Sequence, residues 1–160
     1  MVVSNSSPLL NLAVIERLEL LRDFYETVHI PDVVWNELVK KGKGKPGSKA
    51  IASATWVHRH TVQNQHLVAA LQEQLDAGES EAIALALEQN ATLLLIDETE
   101  GRRVAASYDI EKTGTFGILL LAKKRGLIPS MKEEIDKLQH KAHFWVGAQL
   151  AEKLLRAAGE

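Results

Sequence analysis

Leu93-Leu94-Leu95-Ile96-Asp97 is the stretch that decides the fold. Consecutive apolar residues leave no polar face, so the segment reads as a central strand covered on both sides, the situation of a parallel sheet between helices. Asp97 ends the run at the point where the strand leaves the core. Upstream, Glu81 opens the nearly all-apolar stretch Ala82-Ile83-Ala84-Leu85-Ala86-Leu87, a helix that must be buried on most sides. Downstream, residues 102–108 return to helical spacing and residues 110–113 read as the last strand.

Toward the N-terminus, Val2-Val3 is a short β-branched strand. Asn5-Ser6-Ser7-Pro8 follows, with Ser7 as a helix cap and Pro8 at the first helical position. The next apolar residues are helical in spacing, in two pieces broken near Glu16-Arg17. Val28-His29-Ile30 is the second strand, and Pro31-Asp32 supply a stop and a cap for a third helix whose inward stripe holds Val33, Val34, Glu37 and Leu38. Residues 40–49 form a Gly/Lys/Pro loop, residues 50–54 a short helix and residues 56–62 an edge strand. Helical spacing over residues 67–75 is interrupted at Gly78. Beyond the last strand, Thr115 caps an apolar helix to Ala122, Ser130 and Glu133 have capping-box spacing for a helix to His140, and residues 147–157 are amphipathic. Strand-helix alternation of this kind predicts a parallel sheet with right-handed crossovers, and places a ligand beyond the carboxyl ends of the strands.

Composition bounds the rest. The 160 residues are 46% hydrophobic and 25% charged, the balance of a single globular domain over residues 1–160. The absence of cysteine removes disulfides and thiolate metal sites and points to a reducing compartment, so a cytoplasmic location is expected. No apolar run approaches the roughly 18 residues of a membrane span, and the N-terminus lacks the pattern of a signal peptide, so no membrane partner is expected. A net charge of -2 offers no global attraction to a polyanion, so any such contact must be local.

The sheet-edge rule brings Asn5 and Asp97 to one crevice, since each directly follows a strand. Glu37 puts a carboxylate on a helix stripe that should be apolar, and Glu81 stands at the expected start of the buried helix, where a helix N-terminus favours an anion. Glu79, Glu98 and Ser6 are adjacent supports. Any one acid alone is more often a cap or a surface group. Together they form a hard-oxygen set suited to Mg2+ or Mn2+ and to phosphodiester chemistry.

Lys40, Lys41, Lys43 and Lys45, with Lys49, crowd the loop after Glu37 and could hold an RNA backbone, or be only a solvated loop. Arg102 is better placed for a phosphate. His58 and His60 alternate on the edge strand, a spacing that more often marks one exposed face than a metal site. His29, His66, His140 and His143 have no companions at ligand spacing. Trp56, Phe144 and Trp145 read as core or interface aromatics. There is no glycine-rich phosphate loop after a strand and no Ser/His/Asp or Cys nucleophile setting.

The strings Val3-Ser4-Asn5-Ser6-Ser7-Pro8-Leu9, Ile30-Pro31 with Val34 and Glu37-Leu38, Gly78-Glu79-Ser80-Glu81-Ala82-Ile83-Ala84-Leu85-Ala86 and Leu94-Leu95-Ile96-Asp97-Glu98 closely resemble, in order and spacing, the PIN-domain superfamily. Gly101-Arg102, Thr113-Gly114-Thr115-Phe116-Gly117 and Lys123-Lys124-Arg125-Gly126-Leu127-Ile128-Pro129 are most similar to an uncharacterised prokaryotic branch of it. The resemblance implies a three-layer α/β/α sandwich with a parallel sheet in the order 3-2-1-4-5. It also implies a Mg2+- or Mn2+-dependent endoribonuclease acting on single-stranded RNA, a homodimer and, in many relatives, a toxin paired with an antitoxin protein. Carried onto this chain, Glu37, Glu81 and Asp97 match the second, third and fourth catalytic acids and, with Asn5, the metal ligands. Asn5 stands where the family usually has its first aspartate. That departure leaves a second reading open, a catalytically impaired module that binds RNA or a protein partner.

Overall fold

A computed structural model describes residues 1–160. The chain alternates strand and helix: β1 (Val2–Ser4), α1 (Ser6–Val14), α2 (Glu19–Tyr25), β2 (Val28–Pro31), then α3 (Asp32–Trp35), which runs into a π-helical segment, Asn36–Lys40. It continues through α4 (Ser48–Ser53), β3 (Val57–His60), α5 (Gln65–Leu71), α6 (Ala77–Glu88), β4 (Leu93–Leu95), α7 (Thr99–Ser107), β5 (Lys112–Thr113), α8 (Thr115–Lys124), α9 (Met131–Lys141) and α10 (Ala148–Ala157). The five strands form one sheet in the order β3-β2-β1-β4-β5, and every pairing is parallel. Both features are those implied by the PIN-like motifs.

The apolar run at 93–96 works as its sequence suggests. Leu95 packs into a core of 25 buried residues shared with α1, α2, α4, α8 and α9, while Leu94 and Ile96 face a second core of 15 residues under α5, α6 and α7. Successive side chains of a strand point to opposite faces, so only an uninterrupted apolar run can serve both cores. Val2 and Val3 divide between the two faces in the same way. Each fully buried leucine or isoleucine here contributes about 1.5 to 3 kcal/mol of burial energy.

Several helix starts differ from the sequence expectation, those of α1, α6 and α3 among them. Asn5, not Ser7, is the cap residue of α1, so Ser7 lies in the first turn with its hydroxyl free for another partner. α6 begins at Ala77 behind an Asp76 cap that accepts the Glu79 backbone N–H at 2.8 Å, so Gly78 is inside the helix and Glu81 is in its second turn. Glu81 therefore gains nothing from the helix N-terminus, whose effect falls off within the first turn. α3 starts at Asp32 with Pro31 as its cap residue. The Ser130 cap of α9 is as expected, accepting the Glu133 N–H at 3.2 Å.

Candidate functional site

Parallel pairing puts the carboxyl ends of β1 and β4 side by side, with Ser4 opposite Leu95. Asn5 follows β1, its backbone N–H donating to Leu95 O at 2.9 Å, and it is 3% exposed. Its side-chain amide donates from Nδ2 to Glu98 Oε2 at 3.2 Å, which fixes the amide orientation. Asn5 Oδ1 is left facing the Glu37 carboxylate across Gly78. The three heavy atoms nearest to where a Cβ on Gly78 would stand are Asn5 Oδ1 at 3.0 Å and the two Glu37 oxygens at 3.3 Å each. All are acceptors. Acceptor oxygens gathered around one point repel one another unless a donor or a cation lies among them.

The rest of the site holds these groups in place. The Ser6 hydroxyl donates to Glu37 Oε2 at 2.6 Å, and the Ser7 hydroxyl donates to Glu98 Oε1. Glu37 reaches the crevice from the π-helical segment, whose wider turn is a local deformation often found at functional sites. Glu81 is half-buried beside α3. Burial pushes its carboxyl above the usual range, the backbone at Val33 partly offsets this, and the charges of Asp32 and Glu37 add to it.

Asp97 sits deeper and is fully engaged. Its Oδ1 accepts the Thr115 backbone N–H at 2.6 Å, and its Oδ2 accepts the Thr115 hydroxyl at 2.7 Å and the Asn11 amide at 3.0 Å. Burial raises its proton affinity, and the Thr115 and Asn11 donors pull it back. Gly114 allows the approach, since a Cβ there would lie 2.5 Å from Asp97 Oδ1. Thr115 is therefore the first residue of α8 rather than its cap, and Asp97 holds that helix end from another strand.

Glu79 is nearly buried, with Oε2 2.9 Å from where a Gly101 Cβ would be. Burial, then the hydrogen bond and charge of Asp76, then the charge of Glu98, push it up to about 7. The polar groups thus form two connected halves: Asn5, Ser6, Glu37 and Glu81 on one side, Asp97 and Glu98 on the other, joined by the Asn5 to Glu98 hydrogen bond. Glu79 borders the second half.

Arg102 Nη1 donates to Ile96 O at 3.1 Å, tying the guanidinium to the end of β4 beside Asp97. Lys40, Lys41, Lys43 and Lys45 are all exposed, with Lys45 turned to a cavity beside Glu37. His58 and His60 do have a companion: His29 lies opposite His58 in register, and His29 Nδ1 is 2.7 Å from His60 Nε2. Burial first, and the neighbouring histidines next, lower the His29 pKa. Linear spacing hid this group because its members lie on adjacent strands.

Asn11, Thr115 and Gly78 were missed as site residues. Asn11 carried a signal, being a polar residue inside the apolar stripe of α1. Gly78 opens one of the PIN-like strings, but what two distant side chains do above it is not visible in that string.

A family model described as a PIN domain matches residues 1–160. The chain belongs to the PIN-domain superfamily, whose members are nuclease-like modules that generally use divalent metals. No curated protein and no solved structure matches it.

Do the residues fit such an ion? No three His, Cys, Asp or Glu side chains stand together at metal-binding spacing. Mg2+ and Mn2+ do not require it, since magnesium usually keeps several waters and takes only one or two carboxylates. The oxygen cradle over Gly78 offers one carboxylate and one amide oxygen, a hard donor set that fits.

Proposed function

We propose that the protein is a Mg2+- or Mn2+-dependent endoribonuclease of PIN type that cleaves single-stranded RNA. The observation that carries this reading is the convergence of Asn5 Oδ1 and both Glu37 oxygens on the space above Gly78. Asn5 and Glu37 would hold the ion, with Glu81 beside Glu37, while Asp97, its oxygens engaged by Thr115 and Asn11, would support the site by holding the start of α8. When bound, a divalent ion offsets charge on the phosphate and lowers the pKa of a nearby water. Ser6 fixes the Glu37 carboxylate so that it stays aimed at the crevice, and Asn5 holds Glu98. Glu79, its proton held to about pH 7 by burial and by Asp76 and Glu98, keeps one negative charge away from the Glu98 side of the crevice near neutrality. Arg102, tied to the end of β4 through Nη1, would donate from its remaining N–H groups to a phosphate oxygen.

The test is cleavage of single-stranded RNA by the purified protein with manganese, abolished by chelator and by Glu37→Gln. Cleavage indifferent to chelator would overturn the metal reading.

One observation favours a second reading. Asn5 is satisfied as an amide, donating to Glu98, a bond that an aspartate could not make. A chain adapted to a neutral residue here would act as a binding module with weak or no turnover, and RNA would then be retained in a gel shift without cleavage. The family setting adds two further proposals, a homodimer and a toxin role with an antitoxin partner, for which size in solution and co-purification are the measurements.

A further inference from the structure

A cavity of about 300 Å³ opens directly beside Glu37. Leu10 and Val14 of α1, Leu38 and Pro46 give it apolar walls, and Asn11, whose amide also holds Asp97, lies at its inner side. Ser48, 5% exposed, adds a hydroxyl. The rim carries two lysines, Lys45 from the lysine loop and Lys141 at the last position of α9, and the His143 imidazole just beyond it, all exposed. An apolar slot with a few polar groups, a cationic rim and one wall formed by a candidate catalytic acid has the pattern of a ligand subsite.

We infer that this cavity is a nucleotide subsite that receives one base of the RNA strand next to the cleaved phosphate and so sets the sequence preference of cleavage. The inference rests on the nuclease reading for its place in the reaction. Its occupant is argued from charge and shape. The acids at one end repel a polyanion, whereas Lys45 and Lys141, with the His143 imidazole as a further hydrogen-bonding group, give its backbone a cationic exit. Between them, apolar walls suit the faces of a base, and the Ser48 hydroxyl and Asn11 amide oxygen suit its hydrogen-bonding edge. The lysine loop then has a defined role at Lys45, while Lys40, Lys41 and Lys43 serve the backbone beyond it. Lys141 and His143 lie about a hundred residues from Lys45 in sequence, so only the packing of α9 against α1 brings them to the same rim.

The experiment is a nuclear magnetic resonance titration of the full chain, in chelator, with each of the four nucleoside 5′-monophosphates. Saturable shifts at Ser48, Ala142 and His143, stronger for one base than for the others, are expected. Val14→Phe should fill the slot and abolish them. Lys141→Glu, an exposed change that leaves packing intact, should weaken binding about five-fold or more and reduce its salt dependence. Shifts that are absent, or equal in wild type and in both variants, would overturn the inference. A misfolded Val14→Phe protein would leave the decision to Lys141→Glu. A manganese titration of the same samples separates the two readings. Manganese response without nucleotide response removes the subsite alone, and nucleotide response without manganese response or RNA cleavage removes the nuclease reading alone.

Discussion

Asn5 donates its side-chain amide to Glu98 at 3.2 Å while its oxygen faces the Glu37 carboxylate across Gly78, so one uncharged residue bridges two acids. An aspartate at this position would have an acceptor toward both. Asn5→Asp should therefore lower the unfolding temperature in chelator, through loss of the hydrogen bond and added repulsion. With manganese the sign reverses, because the new charge attracts the ion, and affinity should rise about ten-fold or more. Calorimetric titration and thermal unfolding with chelator measure the two effects. A variant that is neither less stable without metal nor tighter for manganese would show that Asn5 is no part of a metal site.

Gly78→Ala tests the cradle from below. Gly78 lies in the first turn of α6 and has no positive φ, so alanine suits the backbone and by helix preference alone would be slightly stabilising. Its Cβ would stand 3.0 Å from Asn5 Oδ1 and 3.3 Å from each Glu37 oxygen, and those side-chain ends must shift slightly. The metal-free protein should unfold within a few degrees of wild type, whereas its stabilisation by millimolar manganese should be largely lost. An unchanged manganese response would place the ion elsewhere.

Much of this arrangement was legible in the sequence, and the reasons differ by residue. Leu94, Leu95 and Ile96 announced a strand covered on both faces, and Asn5 and Asp97 announced its edge, because strand alternation and sheet-edge position follow from local order. Glu37 stood out as an acid on an apolar stripe. The helix starts were less legible, since Ser7 and Asp76 are both good cap residues and only tertiary contact decides between neighbours. That error moved Glu81 to a helix start it does not occupy and undervalued Glu79. The cavity beside Glu37 was not legible at all, being built from α1, the lysine loop and the end of α9.

Thr115→Val keeps the shape of the side chain and removes one of the three hydrogen bonds to Asp97. Thr115 is fully buried, so no water replaces the hydroxyl, and a loss of about 1 to 2 kcal/mol is expected at pH 7. The loss should shrink in acid, where Asp97 is protonated and the missing donor matters less. Urea unfolding at pH 7 and pH 4 measures both values. Equal losses at the two pH values would show that the hydroxyl is not supporting a charged Asp97.

Arg17→Ala addresses the side of the molecule away from the site. The Arg17 guanidinium donates from Nε at 3.1 Å and Nη2 at 2.7 Å to Glu134 Oε1, and Glu134 is fully buried. Removing the arginine leaves a buried carboxylate with only Lys137 at 3.3 Å, at a cost of about 3 kcal/mol. Glu134→Gln should restore part of that loss in the double variant by removing the stranded charge. Chemical unfolding of both proteins supplies the numbers, and manganese binding should be unchanged in each.

The last prediction concerns pH and Glu79. In the folded protein this carboxyl holds its proton up to about pH 7, against an ordinary value of 4.5. Its folded value is raised, so between those limits the native state binds more protons than the unfolded state, and stability must fall as pH rises through that window. Below pH 4.5 both states are protonated and the group is silent; above about pH 7 the penalty is complete. Glu79→Gln removes the titration while keeping size and a hydrogen-bonding edge. In chelator, the variant should match wild type near pH 4 and be more stable at pH 8, by about 1 to 3 kcal/mol. Urea unfolding across pH 4 to 8 reads the difference directly. If the two proteins keep the same stability difference at every pH, Glu79 does not hold its proton to neutrality.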